Sequence, residues 1–156
     1  MINDRFVSSQ AVGDAGHAGT EADPWSFKEA CGKYVNGDRM NVKADGTYYL
    51  SIDASDYTVF CGSGTSQVGT LLDPVEWRGY SEVPGDDGVA EVRLADQSSL
   101  IFSGSPRVFT VRNMSFRGSA GVNTSRSLFR CASTALVTFV NCRFLNEYNP
   151  GGTAWG

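Results

Sequence analysis

The pattern of a twenty-residue stretch of this chain recurs 28 positions later. Residues 99–118 (SLIFSGSPRVFTVRNMSFRG) align without a gap on residues 127–146 (SLFRCASTALVTFVNCRFLN). Six positions are identical: Ser99/Ser127, Leu100/Leu128, Ser105/Ser133, Thr110/Thr138, Asn113/Asn141 and Phe116/Phe144. Others keep their character, as in Ile101/Phe129, Gly104/Ala132, Val111/Phe139 and Met114/Cys142. A looser copy lies upstream, where residues 59–63 (VFCGS) match 101–105 (IFSGS) and Glu76-Trp77-Arg78-Gly79 matches Ser115-Phe116-Arg117-Gly118. A unit of this length, holding short strands and no helix, cannot bury its apolar side alone. It has to stack on its neighbours as one turn of a β-solenoid.

Alternation inside the unit sets which side chains point where. Met114 and Phe116 are expected inside, with Ser115 and Arg117 in water; Cys142, Phe144 and Arg143 repeat the arrangement. Asn113 and Asn141 fall where the phase breaks, so each marks a turn. Stacked one above the other, their amides are expected to form a hydrogen-bonded ladder along the stack. The matched outward positions read Glu76/Ser115/Arg143 and Arg78/Arg117/Leu145. Glu76, Arg78, Arg117 and Arg143 are therefore a candidate surface for a partner or a glycan. One carboxylate among arginines is not the pair of carboxylates that glycoside hydrolysis uses, so no catalytic residue is assigned.

Upstream of the repeat the chain divides by composition. Residues 1–22, glycine-rich from Gly13 to Gly19, read as a flexible arm. Residues 23–36 read as a helix, with Asp23 as N-cap, Pro24 in the first position and Asn36-Gly37 as the stop. Phe27, Ala30, Cys31 and Tyr34 give it one apolar stripe that must be buried against something larger. From residue 37 the period shortens. Met40 and Val42 alternate with Arg39, Asn41 and Lys43, Asp45-Gly46 makes a turn, and Thr47-Tyr48-Tyr49-Leu50 returns as a strand. The body then runs through residues 37–148, and 149–156 form a tail.

Composition bounds the function classes. A hydrophobic fraction of 41% with 18 glycines suits a globular chain of many short strands. A net charge of −4 without runs of Lys or Arg argues against nucleic acid as a partner. No stretch approaches the roughly 18 apolar residues of a bilayer span, and the first residues lack the character of a secretory signal, which predicts a soluble protein made in a cytoplasm. Cys31, Cys61, Cys131 and Cys142 lack zinc-ligand spacing and are expected as buried thiols. His17 has no triad pattern, Asp53, Asp56 and Asp73 are scattered, and Asp86-Asp87 reads as a polar turn rather than a calcium loop. No metal or cofactor is expected. The sequons at Asn113 and Asn123 are discounted with the missing signal, Trp25 and Trp155 are candidates for stacking on sugars, and Trp77 is expected in the core.

The stretch Gly37-Asp38-Arg39-Met40-Asn41-Val42-Lys43-Ala44-Asp45-Gly46-Thr47-Tyr48, following an amphipathic helix, resembles the opening of the pectate-lyase-like superfamily of right-handed parallel β-helices. The resemblance covers roughly residues 23–146. It implies an all-β fold, a right-handed parallel β-helix of about three coils, with one N-terminal α-helix capping the stack. Thr20-Glu21-Ala22-Asp23-Pro24-Trp25-Ser26-Phe27-Lys28-Glu29-Ala30, with Trp77-Arg78-Gly79-Tyr80 and Pro84-Gly85-Asp86, is similar to segments of bacteriophage spikes, head fibres and surface-decorating proteins. That likeness implies a non-enzymatic structural protein of the virion. It would be anchored to other virion proteins through residues 1–22, would form a homo-oligomer with a trimer favoured, and would contact a cell-surface glycan. The alternatives are a plain glycan-binding module and the N-terminal part of a polysaccharide lyase or glycosidase. Residues 149–156 offer no capping helix, so either another subunit covers the last coil or the chain continues.

Overall fold

The computed structural model describes residues 2–11, 16–50, 74–94, 100–103, 108–118, 129–132 and 136–146. The upstream match at 59–63, Cys61, Asp53, Asp56, Asp73, Asn123, Trp155 and the tail lie outside them, as do the side chains of 100–103 and 129–132. Among the described residues the chain is all-β with a single helix. In chain order the elements are β1 (Asn3–Val7), α1 (Phe27–Lys33), β2 (Asp38–Lys43), β3 (Thr47–Leu50), β4 (Val75–Tyr80), β5 (Ala90–Leu94), β6 (Leu100–Ser103), β7 (Val108–Arg112), β8 (Met114–Gly118), β9 (Phe129–Ala132), β10 (Leu136–Val140) and β11 (Arg143–Asn146).

Among the described residues every strand pairing is parallel, and the strands sort into three sheets ordered β1-β2-β4-β7-β10, β3-β5-β8-β11 and β6-β9. From β2 onward the chain deals one strand to the five-stranded sheet, turns, deals the next to the four-stranded sheet, and returns, by way of β6 after β5 and of β9 after β8. Asp45-Gly46 is such a turn: β2 and β3 enter different sheets instead of pairing with each other.

Register decides how the repeat is used. Val108 lies beside Leu136 and Ser115 beside Arg143, so β7/β10 and β8/β11 keep the 28-residue spacing seen across the Asn113–Asn141 pair. Leu100, by contrast, pairs with Phe129 rather than Leu128. The ungapped alignment slips by one there because four residues connect β6 to β7 and three connect β9 to β10. The upstream match is corrected further. Glu76, Trp77 and Arg78 lie beside Thr110, Val111 and Arg112 of β7, and the strand beside Ser115, Phe116 and Arg117 is β5, through Glu91, Val92 and Arg93. The likeness of Glu76–Gly79 to Ser115–Gly118 is therefore local, since β4 and β8 lie on different sheets.

The core is built from the inward alternate of each strand. Met40, Trp77 and Val111 form one fully buried row, and Val92 and Phe116 form another that begins at buried Tyr48. Ser115 was expected in water but is buried, a small side chain standing in register between Glu91 and Arg143. The apolar stripe of α1 closes on this core. Phe27 lies 5.5 Å from Tyr48 and 5.3 Å from Trp77, and Tyr34 meets Trp77 edge-on at 5.7 Å.

The helix is shorter than its sequence suggests. It spans seven residues with Ser26 as N-cap, in place of a start at Asp23. Ser26 Oγ accepts from Glu29 N–H and the Glu29 carboxylate accepts from Ser26 N–H, a capping box that outcompetes the Asp-Pro signal upstream. Tyr34, in extended conformation, ends it before Asn36-Gly37. Ser26→Ala is expected to cost about 1 kcal/mol. A thermal melt should then fall by roughly 2–4 °C.

The N-terminal segment is not a free arm. Residues 3–7 are β1, paired with β2 along its length, because Val7 joins the buried core and Asp4 the charged outer face. The far edge of β1 is covered by the segment that follows. Phe6 N–H donates to Gly19 O (3.0 Å), Trp25 N–H to Phe6 O (2.9 Å) and Ser8 N–H to Trp25 O (3.0 Å).

Candidate functional site

The outer face of the five-stranded sheet carries a network of ions in register. Asp4, Arg39, Glu76 and Thr110 lie side by side in one row, and Asn41, Arg78 and Arg112 in the next. Glu76 spends both carboxylate oxygens on arginines, accepting from Arg39 Nε at 2.8 Å and Arg112 Nε at 2.9 Å. Asn41 links the rows: its Nδ2 donates to Asp4 Oδ1 (3.0 Å) and its Oδ1 accepts from Arg78 Nε (2.6 Å). The chemistry of this face is mutual neutralisation. A carboxylate held by two guanidinium groups is poorly placed to deliver a proton to a leaving group.

The four-stranded sheet presents a different surface. Tyr49, Arg93, Arg117 and Leu145 stand in one row, and Thr47, Glu91, Ser115 and Arg143 in the other. Glu91 reaches Arg117 at 3.6 Å. The four residues expected to share one surface are thus divided: Glu76 and Arg78 belong to the five-stranded sheet, Arg117 and Arg143 to the four-stranded one. Sequence reading missed Arg39, Arg112, Tyr49 and Arg93. Each stands out of phase with a buried neighbour (Met40, Val111, Tyr48, Val92), so alternation alone marks them as outward once the registers are known.

The corner between these two sheets is built on side-chain amides. Asn113 separates β7 from β8 and Asn141 separates β10 from β11, at φ values of 53° and 50°. Asn tolerates this left-handed region better than most residues. Asn141 Nδ2 donates to Asn113 Oδ1 at 2.8 Å, and Asn113 Nδ2 donates to Asp87 Oδ1 at 2.9 Å. Asp87, itself at φ 62°, is a third rung absent from the alignment. Because Asn113 is buried in this ladder, its sequon has no exposed amide to offer. Gly79 is required where the corner passes closest, since a Cβ there would run into the Asn113 carbonyl oxygen.

The acidic turn before that corner is structural. Asp86 accepts from the backbone N–H groups of Ser81, Glu82, Val83 and Gly88 at 2.7–3.1 Å. The bonds from Ser81, Glu82, Gly88 and Val83 hold its carboxyl far below the usual range. At the neighbouring turn, burial works against the charge of Asp45, but hydrogen bonds from Ser8 and Ser9 outweigh it and leave that carboxyl low as well. A carboxyl depressed by folding stabilises the fold above its unfolded pKa, and the stabilisation is lost as pH falls through the folded value. Stability should therefore decline from about pH 5 downward, through the unfolded aspartate value near 3.9. Asp86→Asn is expected to melt lower than the parent at pH 7 and to lose less on transfer to pH 3, as thermal melts at the two pH values would measure.

Trp25 is not open for sugar stacking. It is buried, with Arg5 and Lys33 over its ring at 5.5 and 5.8 Å, and its Nε1–H donates to His17 O at 2.8 Å. His17 Nδ1 lies 2.7 Å from Asp23 Oδ1, so Asp23, expected as the helix cap, instead helps to fasten the segment over β1. Cys31 is a buried thiol and Cys142 a half-buried one, and burial raises the pKa of the latter. Compared with known proteins, the chain matches no family model, no curated protein and no solved structure at a significant level.

Proposed function

We propose that the three parallel sheets are the walls of a short right-handed parallel β-helix and that the chain is a structural building block of a virus particle. Support for the winding comes from the strictly parallel pairing and from the return of the chain to each sheet one strand further on. Parallel connections within one sheet are right-handed in about 98% of cases. The observation that carries the assembly role is the difference between the two ends. At β1 the outer edge is covered by residues 16–26. At β10 and β11 the inward side chains are only partly covered: Phe144 stacks on Phe116 yet stays 46% exposed, and Phe139, edge-on to Phe144 at 5.1 Å, is half-buried together with Val137. An end of this kind favours a covering partner, and a homotrimer is the arrangement we favour.

In this reading the outer faces are display and contact surfaces rather than catalytic ones, consistent with the double clamp on Glu76. Contacts with other particle proteins run through the N-terminal end, where β1 and residues 16–26 close the body. The test is the native mass of purified protein by light scattering, with circular dichroism to establish folding. A stable trimer or larger assembly is expected. A folded monomer of 16.8 kDa would overturn the assembly role.

A further inference from the structure

We propose that residues 16–26 form a pH-dependent latch over the outer edge of β1, closed while His17 carries a proton and loosened when the ring gives it up. The latch concerns this segment alone and stands whether or not the chain assembles. Asp23 folds the segment back on itself. Its carboxylate accepts from Ala18 N–H at 2.8 Å and lies 2.7 Å from His17 Nδ1, while its carbonyl accepts from Gly19 N–H (3.0 Å) and Thr20 N–H (3.2 Å). The loop closed in this way presents Gly19 O to Phe6 N–H, and the backbone of Trp25 to Phe6 O and Ser8 N–H, which are the bonds that cover β1. His17 supports the same bonds from behind. Its carbonyl accepts from the Trp25 indole N–H at 2.8 Å, and the Trp25 ring packs so closely on Gly19 that a Cβ there would run into it. Imidazole, carboxylate, indole and strand edge are thus one connected unit.

The sequence contains one histidine, and imidazole is the side chain that ordinarily changes charge between about pH 5 and 8. Among the charged groups around it, the Asp23 carboxylate is in direct contact. From α1, Glu29 acts on His17 through space but is itself paired with Lys33 at 2.8 Å, and Lys33 Nζ lies 3.5 Å from His17 O. From β1, Arg5 sits over the Trp25 ring and is drawn to Asp38 of β2. Glu21, also in the segment, acts on Tyr80 instead. The bond to His17 is the first cause holding the Asp23 carboxyl below its usual range. By linkage, the closed segment keeps a proton on the ring more firmly than the open one does. That stabilisation is present in full below the free imidazole value of about 6.5 and is lost as pH rises through the value in the closed segment. A neutral ring can still donate through Nδ1, so rising pH removes the charge and leaves the hydrogen bond, and the loosening is partial.

The test is amide hydrogen exchange of the full chain by NMR at about pH 5.5 and about pH 8, each rate divided into the unstructured rate at the same pH. Phe6 and Ser8 N–H groups exchange when the latch opens, and Val111 N–H, in the buried interior of β7, reports on the body. Between the lower and the higher pH, protection of Phe6 and Ser8 should fall about two- to fivefold, the scale of a partly exposed ion pair, with Val111 unchanged. His17→Gln keeps a side-chain donor for Asp23 but cannot take a charge, so its two amides should be protected equally at both pH values. The imidazole titration, followed through the shifts of its ring protons, should have a lower midpoint in Asp23→Asn than in the parent. Protection independent of pH in the parent, an equal fall in His17→Gln, a fall shared by Val111, or a midpoint unmoved by Asp23→Asn would each overturn the latch.

Discussion

Trp77→Ala is expected to destabilise the protein by about 4 kcal/mol, close to the whole stability of a marginal domain. Trp77 is the largest fully buried side chain among the described residues, placed in register between Met40 and Val111 on the five-stranded sheet. It is also where the helix meets the sheets, since both Phe27 and Tyr34 pack on its ring. Truncation therefore removes the burial of an indole and opens a cavity at the junction of two elements. The seven-residue α1 is too short to hold itself together without that contact. Helical ellipticity and the cooperative transition should accordingly weaken together in a denaturant titration. Trp77→Phe keeps an apolar ring in the same place and should cost no more than about half as much. Equal losses in the two variants would mean that the ring does not bridge helix and sheet.

Asn113→Ala should cost about 2–4 kcal/mol, from two sources that can be separated. The side chain is 7% exposed and serves two rungs at once, donating to Asp87 and accepting from Asn141. Each rung contributes roughly 1 kcal/mol, somewhat more for the bond to a carboxylate. The backbone adds about 1–2 kcal/mol, because alanine at φ 53° meets the steric penalty that asparagine partly evades. Asn113→Gly removes the rungs but not the conformation and should fall between parent and alanine. Asn141→Ala should cost less than Asn113→Ala, since Asn141 is exposed and serves as donor in one described rung. Urea titrations of the four proteins would give the ordering. A glycine variant as damaged as the alanine one would remove the backbone contribution, and a harmless alanine variant would remove the ladder.

The parts of this fold that were legible in sequence share a cause: they repeat or alternate without interruption. The 28-residue spacing survives in β7/β10 and β8/β11, and the stripe from Phe27 to Tyr34 is buried as its period requires. What was misread lies where local signals compete or where loops differ in length. Asp23-Pro24 and the box Ser26-x-x-Glu29 both announce a helix start, and only the second satisfies two backbone donors reciprocally. Glu76–Gly79 looks like Ser115–Gly118 because both are outward-inward-outward strand pieces, but β4 pairs with β2 and β7 on the five-stranded sheet while β8 lies on the four-stranded one. That error merged the outer faces of two different sheets into a single candidate strip. Residues 3–7 carry too few apolar side chains to reveal a strand alone; pairing with β2 and the cover of Gly19 and Trp25 make it one. Asp87 could not be recognised as a rung from the alignment, because no 28-residue copy precedes it.

The most direct test of the stacked parallel arrangement is interstrand NMR contacts between β7 and β10. With each strand parallel to the one a repeat earlier, Val108 should contact Leu136 and Arg112 should contact Val140, the central Thr110 meeting Thr138 on one side and Glu76 on the other. Contacts of Val108 with Val140 and of Arg112 with Leu136 would show an antiparallel pair and contradict the architecture from which every surface described above follows.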